Sequence, residues 1–376
     1  MDEQDGQRPQ PREVEVVVVG GGQAGLATAY HLRRAGLVAH SDYVVLDAGR
    51  HPGGAWQHTW PSLRLFSPAA FSSLPGWRMP AHRDPYPPAS HVVDYLTDYE
   101  ARYDLPVRHG ERVTRVRRRD EDPAGRLVVD TATGAWAARA VVTATGTWGR
   151  PFLPSYAGAA TFEGRIVHSA AYRGPEQWRG LRVAVVGGGN TAAQLLAEVS
   201  LVAETTWVTL RTPRLLPDDV DGRVLFDVAT ARRRALDAGE TDPGGVAGLG
   251  DVVMVESVRA ARDRGALDPV PMFERLTATG AVWADGTERE LDAVLSCTGF
   301  RPDLEVLAGL GLARVDGHVA TVGTRARDEP RLHLVGYGDW TGPASATLIG
   351  VGRTARDAVA EIMALLGRPS LRGRGS

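Results

Sequence analysis

Two stretches of the chain carry the same pattern of apolar and small positions. Glu15 to Val19 is a short β-branched run that ends in Gly20, Gly21 and Gly22, and Ala24 to Ala35 then repeats Ala and Leu at helical spacing. Tyr43 to Leu46 is the next apolar run and ends in Asp47. Strand, glycine turn, helix and strand make one βαβ unit. Arg182 to Val186 starts the pattern again, followed by Gly187, Gly188 and Gly189, a helical segment Thr191 to Ser200 and a strand Thr206 to Leu210. Between the units, His91 to Tyr103 reads as a helix, Arg112 to Arg118 and Leu127 to Asp130 as strands, and Ala140 to Thr145 as a strand closing on Gly146. Asp292 to Cys297 is another strand, closing on Thr298 and Gly299.

The expected fold class is therefore α/β, with two Rossmann-like dinucleotide-binding domains. Pro151 and Pro154 mark a crossover between them, because proline stiffens a linker and does not pair inside a sheet. A return crossover near Gly299 to Pro302 makes the first domain discontinuous: residues 13–153 with 300–368, and the second domain, 154–299, inserted. The stretch 217–272 reads as an insertion in that second domain. The polar ends, 1–12 and 369–376, are expected to be flexible.

Composition then removes whole classes of chemistry. The 43 basic residues are all arginine, so lysine Schiff bases and Walker-type phosphate loops are excluded. The single cysteine, Cys297, excludes an internal disulfide, a redox-active cysteine pair and cysteine-built metal centres. A net charge of −2 gives no field for nucleic acid or an anionic membrane. With neither a signal-peptide pattern nor a long apolar run, a cytoplasmic protein without a membrane partner is expected. A homodimer is one open option for its oligomeric state.

Gly20-Gly21-Gly22-Gln23-Ala24-Gly25 is a full G-x-G-x-x-G between strand and helix. Gly20 permits the sharp turn, Gly22 a close approach to a pyrophosphate, and Gly25 tight helix-to-strand packing. Asp47 stands where a carboxylate accepts hydrogen bonds from ribose hydroxyls. Gly187-Gly188-Gly189-Asn190-Thr191-Ala192 matches G-x-G-x-x-A in the same context, but Arg211 and Arg214 stand where the first unit has Asp47. A guanidinium pairs with a 2′-phosphate that a carboxylate repels, which favours NADPH over NADH at the second loop.

Phe162 to Tyr172 fits F-x-G-x-x-x-H-x-x-x-Y, with Gly164 and His168 in register, just before the second loop. With both glycine loops and the strand ends Ala144-Thr145-Gly146 and Cys297-Thr298-Gly299, the chain resembles the class B flavoprotein monooxygenases. Arg64-Leu65-Phe66-Ser67-Pro68, Leu74-Pro75-Gly76-Trp77 and the run Gly336 to Gly342 resemble most the short bacterial branch associated with arsenic-resistance operons. The resemblance implies a glutathione-reductase-like arrangement. FAD would lie on Gly20, Gly22, Gln23, Ala24, Gly25 and Asp47, with Gly54, Trp56, Thr145, Gly146, Gly338 and Asp339 around it. The segment Ala344 to Ala360 would be a helix aimed at the flavin. NADPH would lie on Gly187, Gly189, Asn190, Thr191, Arg211 and Arg214.

Arg64, Ser67 and His168 are the catalytic candidates. The resemblance implies that His168 couples the two domains, and that Ser67 occupies a segment where many N- and S-oxidising members carry asparagine. The implied reaction is reduction of FAD by NADPH, formation of a C4a-(hydro)peroxyflavin from molecular oxygen, and transfer of one oxygen atom to a small organic or heteroatom (S, N or As) substrate. Tyr172 in place of tryptophan leans away from Baeyer–Villiger oxidation, which stays open. So do an NADPH oxidase, a flavin-linked reductase and a non-catalytic redox-sensing binder.

Overall fold

The computed structural model describes residues 10–122, 125–220, 222–241 and 251–369. β1 (Arg12–Val19) leads through the first glycine loop into α1 (Gln23–Arg34), which returns to β2 (Tyr43–Leu46). β2 runs parallel to β1, with Val17 opposite Val44. α2 (Ala89–Arg102) precedes β3 (Val107–Arg108), parallel to β2. β4 (Val113–Arg118) and β5 (Leu127–Thr131) form an antiparallel ribbon that leads to β6 (Ala135–Thr143), and β6 lies parallel to β1 on its other side.

The chain then builds a second sheet from β7 (Arg165–His168), β8 (Arg182–Val186), α3 (Asn190–Val199) and β9 (Glu204–Thr209). α4 (Gly222–Asp237) and α5 (Glu256–Asp263) follow, then β10 (Pro269–Pro271). A small antiparallel sheet of β11 (Arg275–Leu276), β12 (Gly280–Val282) and β13 (Glu288–Glu290) precedes β14 (Ala293–Ser296). After a short hairpin of β15 (Arg314–Val315) and β16 (His318–Val319), the chain rejoins the first sheet. It does so through β17 (Thr321–Val322), β18 (Arg325–Ala326) and β19 (Leu332–Leu334), and ends in α6 (Val351–Leu365). The first sheet has the order β17-β18-β19-β6-β1-β2-β3, with β4 and β5 alongside, and the second β10-β9-β8-β14-β7.

The apolar runs are continuous because both faces of these sheets are covered. Alternate valines of β1 serve different cores: Val16 and Val18 pack with α1, α2 and α6 residues such as Leu26, Leu96 and Ile362, whereas Val17 and Val19 pack with Trp136, Leu307 and Tyr337. The second sheet is covered on one face by α3, whose Leu195 and Leu196 meet Trp178 and Trp207.

Two expectations change. The segment 344–360 is not one helix: α6 begins at Val351, and turns precede it. Ala344 takes φ +60°, and the Thr347 hydroxyl both donates to Ala344 O and accepts from Gly350 N, so hydroxyl bonds replace helical ones. The stretch 217–272 is not wholly an insertion, although Asp221 and residues 242–250 lie outside the described residues. β10 pairs with β9 at the sheet edge, where its two prolines need donate to no further strand, and Val258 of α5 packs on Ala193 of α3.

Candidate functional site

The first glycine loop leaves the carboxyl end of β1 and packs against the end of β6. Gly20 has φ +109°, and a Cβ there would lie 2.4 Å from Ala144 O; one on Gly25 would lie 1.8 Å from Gly20 O. These two glycines are required by the fold. Gly22 differs: a Cβ on it would meet nothing nearer than Gly54 Cα at 3.9 Å, whereas a Cβ on Gly54 would lie 2.7 Å from Gly22 Cα, so the two glycine backbones pack in contact and the side of Gly22 where its own Cβ would stand is left open. Gly22 caps α1 without a side-chain hydrogen bond, and the first turn has no acidic residue, so the positive end of the helix is left open beside Gly22. A pyrophosphate fits such a cradle.

Asp47, 8% exposed, closes the loop on the β2 side. Its Oδ1 accepts from Gly21 N at 3.0 Å, and its Oδ2 faces His109 Nδ1 at 3.3 Å. On the other side, Gln23 bridges two segments: its Oε1 accepts from Trp56 Nε1 at 3.0 Å and its Nε2 donates to Ala346 O at 2.7 Å. Trp56 is thus tied to the loop by its indole N–H as well as packed against the core. Ala24, at the first turn of α1, is buried against the same core. Thr145 and Gly146 are held from behind by Tyr337, whose hydroxyl lies 2.8 Å from Thr143 Oγ1 and accepts from Thr145 N at 3.1 Å. Burial pushes the Tyr337 phenol up to about 12, so it stays a neutral hydrogen-bonding hub.

The second loop repeats the backbone but not the surroundings. Gly187 has φ +141° with Cys297 O 2.4 Å from a would-be Cβ, and Gly187 O accepts from Trp207 Nε1 at 2.7 Å. Nothing lies within 4 Å of a Cβ on Gly189, and α3 also starts without a side-chain cap. Asn190 turns its Oδ1 to Val253 N at 2.7 Å, which ties α3 to the segment after residue 250, while Thr191 is half-buried in the first turn. Arg211 and Arg214 come together around a carboxylate. Asp251 receives Arg211 at 2.8 and 3.0 Å and Arg214 N at 2.9 Å. Those bonds, Arg211 first, hold the Asp251 carboxyl well below the usual carboxylate range. The pair still presents exposed guanidinium surface, with side chains 69% and 49% exposed.

The three catalytic candidates are not gathered in one place by direct contacts. Arg64 donates to Asp84 Oδ2 at 3.0 Å and to Tyr86 O at 3.3 Å, which pins its own loop. Ser67 lies beneath the start of α4: Gly222 N donates to Phe66 O at 2.8 Å, and a Cβ on Gly222 would strike Ser67 Oγ. His168 accepts from Ala170 N at Nδ1 (3.1 Å), so its Nε2 carries the proton and donates to Gly299 O at 3.0 Å. Burial holds its pKa below the usual histidine value, offsetting the bond to Gly299. The ring packs edge-on against Phe300, which stacks on Trp148 at 5.1 Å. Here the two crossovers run side by side, with Phe152 N donating to Gly299 O and Arg301 N to Arg150 O. His168 therefore clasps the motif strand to the returning chain.

Asp339, expected near the flavin, takes Arg232 of α4 at 3.1 Å, and Arg353 lies 5.2 Å over the Phe226 ring. The preceding Gly338, φ +90°, donates its N–H to Ser345 Oγ at 3.0 Å. One face of α4 thus reaches from the Ser67 loop to Asp339.

The family described as pyridine nucleotide-disulphide oxidoreductase matches residues 17–257. A solved flavin-containing monooxygenase from Stenotrophomonas maltophilia is 51% identical, with a TM-score of 0.85 over 94% of this chain and 99% of that one. The chain belongs to this oxidoreductase family, among its flavin-containing monooxygenases. An indole-3-pyruvate monooxygenase, YUCCA8, of Oryza sativa subsp. indica is 26% identical, covering 92% of this chain and 90% of that protein. An uncharacterized CzcO-like oxidoreductase of Geobacillus kaustophilus is 27% identical over 77% of this chain and 81% of its own. In this flavin-containing monooxygenase the disulphide chemistry of the family's name has no counterpart, because the one cysteine, Cys297, is buried and its thiol pushed up in pKa.

Sequence reasoning missed Tyr337, Asp251, His109 and Glu100. Tyr337 lies inside the run Gly336 to Gly342, but nothing local in that run announces its partners Thr143 and Thr145. Asp251 and His109 reach their partners across tens of residues with no local periodicity to announce them, and Glu100 joins only through His109.

Proposed function

We propose that this flavin monooxygenase binds FAD on its first loop and NADPH on its second. It would transfer one oxygen atom of O2 to a small organic substrate or to a soft sulfur, nitrogen or arsenic centre. The single observation that carries the cofactor assignment is the contrast at the ends of β2 and β9: a buried carboxylate tied to Gly21 N in one, two exposed arginines in the other. Bound FAD supplies the hydride acceptor and the oxygen-activating ring when present. The protein's own part is placement. The open side of Gly22 at the start of α1 seats a pyrophosphate, and Asp47 accepts ribose hydroxyls. Arg211 and Arg214 pair with a 2′-phosphate, and α4 covers the approach past Ser67 and Asp339, which limits water access.

Residues 13–153 with 300–368 would form the flavin part and 154–299 the nicotinamide part. In support, the strands of the first sheet fall within 12–143 and 321–334 and those of the second within 165–296.

The test is a screen of thioethers, amines, organoarsenicals and cyclic ketones with product identified by mass. Per mole of product, one mole each of NADPH and O2 should disappear and one of water form. NADPH loss matched by hydrogen peroxide alone, across the screen, would mark an oxidase instead.

A further inference from the structure

We infer that His109 and Glu100 form a positioning pair behind Asp47, bracing the carboxylate that accepts the adenosine ribose of FAD. The inference rests on the reading of the first loop as the flavin site. Three elements meet here. Asp47 ends β2, His109 directly follows β3, and Glu100 lies in the last turns of α2. His109 Nδ1 is 3.3 Å from Asp47 Oδ2, and Nε2 is 3.0 and 3.2 Å from the two oxygens of Glu100. All three side chains are largely removed from water, at 11%, 19% and 15% exposed for Asp47, His109 and Glu100.

This geometry has a proton requirement. A neutral imidazole offers one N–H and one lone pair, so between two carboxylates one of its nitrogens would turn a lone pair on an anion. With Nδ1–H donating to Asp47, the trio is satisfied when Glu100 holds a proton that it donates to Nε2. Burial raises the Glu100 carboxyl above its ordinary value, which favours retention of that proton. Asp47 and Glu100 are the charged groups that face the ring. Arg108, on the ring's own strand, instead lies 5.1 Å over Trp136.

The consequence falls on ribose recognition. A carboxylate has roughly four acceptor positions. Gly21 N takes one on Oδ1 and His109 one on Oδ2, so both oxygens are fixed and each keeps capacity for one hydroxyl of a vicinal diol. Neither ring contact touches the second loop.

The test is titration of flavin-stripped protein with FAD, read by quenching of flavin fluorescence, from about pH 6 to about pH 9. In the wild type the dissociation constant should rise with pH as the extra proton leaves. His109→Gln should weaken FAD binding about tenfold at the acid end, the scale of one hydrogen bond to a charged group, and remove the pH dependence. Glu100→Gln, whose amide N–H replaces the carboxyl O–H as donor to Nε2, should bind FAD at the acid end like wild type with an altered pH profile. A pH-independent wild type, or a His109→Gln protein with wild-type affinity and profile, overturns the proposal. Asp47→Asn separates the underlying reading: if it binds FAD as tightly as wild type, Asp47 is not the ribose acceptor at all. Unchanged far-ultraviolet dichroism of the stripped variants distinguishes lost positioning from lost folding.

Discussion

The two glycine loops share a backbone and differ in nearly everything that faces it. In the first loop Gly25 is jammed against Gly20 O, and Gly54 packs its backbone directly against Gly22. In the other loop the position matching Gly25 is a buried alanine, Ala192, and Gly189 faces open space. The first loop is enclosed by Trp56, Gln23 and the turns before α6, whereas its counterpart is flanked by exposed arginines. An enclosed loop suits a cofactor that stays through turnover, and an open one suits a cofactor that exchanges every cycle. What the difference teaches is that the fingerprint sets the turn, while residence is set by what later segments lay over it.

The largest effects should come from the glycines and should separate fold from ligand. Gly25→Ala places a methyl 1.8 Å from a backbone oxygen, so soluble folded protein should be lost. Gly22→Val finds no protein atom nearer than 3.9 Å from its Cβ, so the chain should fold, melt near wild type and elute without flavin absorbance. Gly189→Val is the counterpart in the second loop: a yellow protein with NADPH affinity reduced on the order of 100-fold, by obstruction of the pyrophosphate approach. A colourless Gly189→Val protein would mean the loops are not independent.

Acid should damage the first unit. His31 of α1 and His333 of β19 are both lowered from 6.5 to about 4, chiefly by burial. Because the folded values lie below the unfolded one, the unfolded chain binds more protons in between. The stabilisation is complete above about pH 6.5 and is lost as pH falls toward 4. From pH 7 to pH 5 this costs roughly 2 kcal/mol per histidine. Urea midpoints at the two pH values, compared between wild type and His333→Gln, check it. The variant should lose markedly less stability on acidification, and an equal loss would place the acid sensitivity elsewhere.

Smaller, and confined to the second loop, is the effect of Arg211→Ala. Loss of a charge-assisted contact should raise KM for NADPH about tenfold and change KM for NADH less than about twofold. Equal rises for both coenzymes would remove the 2′-phosphate assignment.

How far these differences could be read in advance depended on their range along the chain. β2 at Tyr43–Leu46 and β8 at Arg182–Val186 stand as expected, because a continuous β-branched run bounded by turn residues carries its own evidence. The start of α6 was misplaced because Ser345 and Thr347 divert their hydroxyls to backbone atoms, a choice that apolar spacing does not register. β10 was hidden by Pro269 and Pro271, which are harmless only at an edge whose existence depends on β9. At the candidate site motif spacing singled out the glycines, Asp47 and both arginines. It did not single out the residues that hold them: His109 lies 62 positions from Asp47, and Tyr337 lies 192 from Thr145, distances over which only tertiary packing decides.

The smallest effect tests enclosure itself. Trp56→Phe keeps the ring packed but deletes the indole donor to Gln23 Oε1, leaving Gln23 anchored only through Nε2 to Ala346 O. A part-buried hydrogen bond of this kind contributes about 1 kcal/mol, so FAD should dissociate about fivefold faster while KM for NADPH stays at its wild-type value. Flavin release into excess apoflavodoxin or another flavin scavenger gives the rate. If Trp56→Phe left the rate unchanged and Gln23→Ala raised it, the bracket would work through Ala346 alone, and the turns before α6 would be what makes the first loop the closed one.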